Sequence, residues 1–176
     1  MPKAPPILPE ITLQRVLRVA RFDGISMAAI AGLFALVSAS NHDVNGALIG
    51  VLIAGAGGME LHGAARLHGG AADGMRWLIG SQFCVLLVIL GYVTWRLGHP
   101  DPLLQAAFRA SLKDEQRLAL QQVGMTEAEF IRFGSRMVYF GVGLMTLLYQ
   151  SGMMIYYARR RAAVEQALEN DAARVS

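Results

Sequence analysis

Four stretches of this sequence contain no Asp, Glu, Lys or Arg: residues 24–41, 44–59, 77–95 and 137–158. Each approaches the roughly 20 residues that a helix needs to cross about 30 Å of hydrocarbon. Their apolar positions lack the period-two alternation of barrel strands, and a lipid-exposed span must satisfy its own backbone hydrogen bonds. The pattern therefore predicts an all-α, polytopic helical membrane protein of about four transmembrane helices, joined by short turns and one small helical outer loop.

The loop pattern divides the chain further. Residues 1–22 form a tail and a basic amphipathic helix, 23–95 the first three spans, 96–136 the extramembrane loop, 137–168 the fourth span with a helical extension, and 169–176 a polar tail. Residues 1–9 are Pro-rich and read as extended or disordered. Over 11–22, Arg15 and Arg18 lie near one another while Val16, Leu17 and Ala20 turn away. This segment either lies on the membrane surface or extends the first span. In the loop, Ser111 is placed to cap a helix running to about Val123 and stopped by Gly124. Thr126 and Glu129 form a capping box that opens a second helix continuing into the fourth span, which is expected to run to about Leu168 before fraying.

Composition supports the membrane reading: 54% of the 176 residues are hydrophobic, and the mean hydropathy is +0.39, both high for a soluble fold. A net charge of +3 raises the question of nucleic acid, but the basic residues sit in short clusters beside apolar spans, a topology signal and not a groove-binding surface. Lys3, Arg15, Arg18 and Arg21, then Arg66 and Arg76, then Arg159, Arg160 and Arg161 all fall on one side. The positive-inside rule makes that side cytoplasmic, with both termini inside a membrane of bacterial inner-membrane type; Arg96, Arg132 and Arg136, beside the outer loop, count against it. Ser38-Ala39-Ser40 has the spacing of a signal-peptidase site, but the preceding polar region is too long for an ordinary leader. The one cysteine, Cys84, has no intrachain partner and reads as a small buried hydrophobe.

Two constellations carry candidate function. In the second span Gly46, Gly50, Ala54 and Gly58 recur every fourth residue, and Ala31, Ala35 and Ala39 form a similar row in the first. Such rows let helix backbones approach closely, so the two spans are expected to pack together, with a homodimer through the same face as the alternative. The other constellation is polar. Glu60, taken as the one carboxylate inside the spans, costs about 2.5 kcal/mol or more near the bilayer centre unless compensated. Counting from the span ends sets it at a depth similar to Gln82 and Gln150, and with His62, Arg66, Ser81, Ser151 and Tyr149 it outlines one polar layer. Gln82, Gln150 and Arg66 are its expected partners. Glycines 55, 57 and 58 would permit local unwinding there or simply tight packing.

The histidines His42, His62, His68 and His99 form no metal-binding spacing; His42 and Asp43 would meet His99 and Asp101 only if the first and third spans adjoin. No residue is assigned as catalytic or metal-ligating and no cofactor is expected. Trp77, Trp95, Tyr92, Tyr139, Tyr156 and Tyr157 fall toward span ends, where aromatic rings favour the headgroup level. Three function classes follow: a non-catalytic scaffold or accessory subunit, which is the first choice; an oligomeric channel or proton- or cation-coupled transporter using Glu60; and a membrane enzyme using His62, Glu60 and Arg66 on a lipid-like substrate. The expected partners are the lipid bilayer and either a second copy or a larger membrane complex.

Overall fold

The computed structural model of the chain describes residues 8–99 and 102–175. Within them the fold is all-α with six helices: α1 Pro9–Ser40, α2 Val44–His68, α3 Gly74–Gly98, α4 Pro102–Ser111, α5 Asp114–Gln122 and α6 Glu127–Val175. Four of these, α1, α2, α3 and α6, are long and apolar enough to cross a membrane, with stretches of mean hydropathy from 1.3 to 1.9. They make this an integral membrane protein and imply a bilayer as its surroundings. The expected tail over residues 1–7 and the residue Asp101 lie outside the described residues.

Local chemistry sets the helix ends. Pro9 opens α1, where its missing N–H is no loss. The Asp43 carboxylate accepts from Gly46 N at 3.1 Å and caps α2. The capping box expected at the start of α6 is present: Thr126 N donates to Glu129 Oε2 at 2.9 Å, and Glu129 N to Thr126 Oγ1 at 3.3 Å. Gly124, at φ +70°, ends α5 as expected, and Met125 N reaches back to Leu120 O at 3.0 Å.

The loop differs from expectation at Ser111. It closes α4, donating its hydroxyl to Phe108 O at 2.8 Å, and α5 begins three residues later. There the Gln116 side chain accepts from Lys113 N at 3.0 Å and takes the capping role. A hydroxyl that can turn back to its own helix serves at either end, so Ser alone does not give direction. The tail also differs, since α6 continues past Leu168 to Val175.

The chain forms two compact units, one of residues up to Val88 together with those from Tyr149 onward, the other Ile89–Leu148. The first holds α1, α2 and the adjoining parts of α3 and α6. Its core gathers Leu13, Val16, Ala20, Ala64, Leu67, Met75, Leu78, Tyr157, Val164 and Ala167. Residues 11–22 therefore belong to one continuous α1, and their apolar face is covered by protein. In the second unit Val93, Leu112 and Ile131 are buried, and the Phe108 ring lies where a Cβ on Gly134 would come within 3.1 Å.

The α1–α2 contact is close. A Cβ on Gly50 would stand 2.8 Å from Ala31 O, Ala35 N and Ala35 Cβ, and one on Gly57 would stand 2.9 Å from Ala28 N and Gly24 O. Gly46, Ala31 and Ala35 are also buried, but Ala54 is only half-buried, while Ala39 and Gly58 are exposed. No atom lies within 4 Å of a Cβ built on Gly58. The reason is helical: four residues turn about 400°, so three such steps carry Gly58 about 120° away from Gly46. The buried positions instead hold one face by steps of four and seven, Gly46, Gly50, Gly57 and Ala64 on α2, and of four and three, Ala31, Ala35 and Ser38 on α1. Gly57 thus serves close approach, and α2 continues through the three glycines without unwinding. Cys84, expected inside, is exposed on α3, in keeping with a small hydrophobe at a lipid-facing position.

Candidate functional site

Glu60 has 0% exposure, on the face of α2 that carries Gly57 and Ala64. Both of its oxygens accept hydrogen bonds from other helices. Tyr157 Oη on α6 donates to Oε1 at 2.5 Å, and Gln82 Nε2 on α3 donates to Oε2 at 2.9 Å. The same amide nitrogen also donates to Asp23 Oδ2 on α1 at 2.9 Å. Asp23 Oδ1 in turn accepts from Tyr149 Oη at 2.9 Å. Five side chains thus join four helices in the order Tyr149, Asp23, Gln82, Glu60, Tyr157, all within the first compact unit. The two carboxylates share one N–H₂ group and have no ion-pair partner among the described residues.

Gln82 is the hinge of this arrangement. A side-chain amide carries two N–H bonds, which is what one group needs to serve two acceptors at once. Its own oxygen, Gln82 Oε1, is buried without a hydrogen-bond partner in the described protein, as is Gln150 Oε1. Gln150 is buried but does not bond Glu60. Ser81, fully buried, donates to Leu78 O of its own helix at 2.8 Å, and Ser151 is half-buried.

Other residues of the expected layer lie elsewhere. Arg66 does not reach Glu60; it pairs with Asp73 across the α2–α3 turn at 2.7 Å, with both side chains about half exposed. An exposed guanidinium keeps its hydration there, whereas turning inward would bury it. His62 is exposed and meets the Trp77 ring edge-on at 4.9 Å between centroids. Glu60 is also not alone, because Asp23 joins it. Asp23 lies one residue before the charge-free stretch 24–41, so a count of charges within that stretch misses it. Continuing the α1 face outward from Val16 and Ala20 would have found it.

Tyr157 was also legible only in part. Its place near the end of an apolar stretch suits the headgroup level, yet it is 0% exposed, while the adjacent Tyr156 is half-buried with the Arg160 guanidinium 3.7 Å from its ring centroid. Among the described residues no group of three or more His, Cys, Asp or Glu side chains is placed to hold a metal ion. Chemically, the cluster can fix the mutual positions of four helices and can bind protons at two carboxylates. Comparison with known protein families, curated proteins and solved structures found no match to this chain.

Proposed function

We propose that this protein is an integral membrane scaffold or accessory subunit whose polar core fixes the arrangement of its own helices. The observation that carries the reading is the enclosure of Glu60: with no exposure and both oxygens occupied by donors from α3 and α6, it acts as an internal clasp. A group serving a substrate or an ion route must be reachable from that route, and Glu60 has no exposed surface. Packing alone brings hydrophobic helices together in several registers of nearly equal energy, and a satisfied polar network selects one of them. The basic clusters favour both termini on the cytoplasmic side of an inner membrane. Gly55 and Gly58, which have no neighbour within 4 Å, offer a surface to a further helix, from a second copy or from a partner subunit.

A second reading rests on Asp23. This half-buried carboxylate lines a cavity of about 330 Å³ with Arg18, Val19, Phe22 and Tyr149, and it shares Gln82 with Glu60. A proton or monovalent cation entering there would act on both carboxylates, as proton- or cation-coupled transport requires. Proteoliposomes separate the readings. The scaffold reading expects the wild-type chain to dissipate imposed proton or sodium gradients no faster than empty vesicles, and Glu60→Gln to keep the fold and assembly. Faster dissipation by the wild type, lost in a stably folded Glu60→Gln or Asp23→Asn protein, would overturn it in favour of transport.

A further inference from the structure

Asp23 and Glu60 meet inside the first compact unit through one amide group. Asp23 Oδ2 and Glu60 Oε2 each lie 2.9 Å from Gln82 Nε2, Tyr149 donates to Asp23 Oδ1, and Tyr157 donates to Glu60 Oε1. All four carboxylate oxygens therefore accept a hydrogen bond, and every donor is neutral. A protonated carboxyl carries a donor of its own and needs an acceptor opposite it, whereas an ionised one only accepts. The arrangement is that of two ionised groups. Two like charges this close in a membrane interior repel and lose hydration, and neutral donors offset only part of that cost.

The neighbouring arginines do not balance the pair. Arg18 lines the cavity beside Asp23 but is exposed and forms no ion pair with it among the described residues, and Arg66 is held by Asp73. An independent observation points to what can. Gln82 is 0% exposed, and its Oε1 is buried without a hydrogen-bond partner in the described protein. This oxygen shares a carbon with the nitrogen that touches both carboxylates, so it stands at the edge of the same pair. A buried acceptor with no donor is costly, and a cation satisfies it with no proton.

We infer that the Asp23–Glu60 pair is a binding site for an alkali cation of the sodium class, with carboxylate oxygens as its charged ligands and Gln82 Oε1 as a neutral one. Carboxylate and amide oxygens are hard ligands, which suit hard cations. Two carboxylates, with no group of three or more His, Cys, Asp or Glu side chains among the described residues, suit a singly charged ion better than a divalent one, whose affinity follows the number of charged ligands. The half-buried Asp23 opens onto the cavity of about 330 Å³ that Val19, Phe22 and Tyr149 also line, which gives the ion access from the Asp23 side. The inference rests on the clasp of the scaffold reading and takes from the transport reading only the entry at Asp23. The ion completes the clasp, and it need not cross the membrane.

Full-length protein in nanodiscs tests the site. Radioactive sodium should bind saturably to the wild type and be displaced by unlabelled sodium, but not by calcium or N-methylglucamine at equal ionic strength. The melting temperature should rise along the same saturating curve as sodium replaces N-methylglucamine, because an ion that binds only the folded chain stabilises it. Asp23→Asn and Glu60→Gln, which keep shape and remove charge, should each weaken sodium binding tenfold or more. Asp73→Asn, at an exposed acid outside the pair, should leave it unchanged. The wild-type titration stands whether or not the variants fold. The inference is overturned if sodium does not bind saturably, if calcium displaces it, if folded Asp23→Asn and Glu60→Gln bind as tightly as wild type, or if Asp73→Asn is equally damaging. It is also overturned if acidification raises the melting temperature while sodium does not, which would assign the pair to protons. Failure of sodium to bind an intact assembly defeats the ion site alone, whereas dissipation of a gradient by the wild type defeats the scaffold reading.

Discussion

Gly50 and Gly58 lie on the same helix, belong to the same four-residue row and differ only in what stands opposite them, so replacing each by Ala isolates the α1–α2 contact. At Gly50 the new Cβ would sit 2.8 Å from Ala31 O and Ala35 N. Both are backbone atoms that no side-chain rotation can withdraw. Restoring an ordinary contact of 3.4 Å requires the helices to part by 0.6 Å, the difference between the two distances. A gap of 0.5–1 Å forfeits roughly a quarter to a half of the dispersion energy of each contact it opens. Overpacking of this kind costs about 1–3 kcal/mol. At Gly58 the Cβ meets nothing within 4 Å, and the intrinsic preference of Ala over Gly in a helix, up to about 1 kcal/mol, is all that remains. Gly50→Ala should therefore be less stable than Gly58→Ala by about 2 kcal/mol or more, with Gly58→Ala at or slightly above wild type. Reversible unfolding in mixed micelles, followed by helix signal against denaturing detergent, measures the difference. Equal effects at the two positions would refute the assigned α1–α2 face.

Two further outcomes test the clasp and the loop. Tyr157→Phe removes the donor to Glu60 Oε1 and should cost about 1–2 kcal/mol, toward the upper end for interhelical hydrogen bonds in membranes. The neighbouring Tyr156→Phe, whose hydroxyl has no hydrogen bond among the described residues, should be near neutral in the same unfolding experiment. Thr126→Ala breaks the capping box at a cost of about 1 kcal/mol; hydrogen exchange should accelerate over residues 127–130 and stay unchanged beyond residue 149.

The sequence by itself determined the class of fold, because the length and apolarity of a span are set by the bilayer and not by its neighbours. It also determined the Thr126–Glu129 cap and the Gly124 stop, whose partners lie within a few residues. The sequence placed Glu60 and Gln82 at one depth, since helical rise is fixed per residue. Tertiary structure decided what depth cannot specify, namely which face of each helix meets which neighbour. Small errors in rotation accumulate at about 40° per four-residue step, and this is what moved Gly58 and Ala39 off the contact and brought Gly57 and Ser38 onto it. For the same reason only the folded chain turned Tyr157 inward, drew Asp23 to the shared amide of Gln82 and left Arg66 to Asp73.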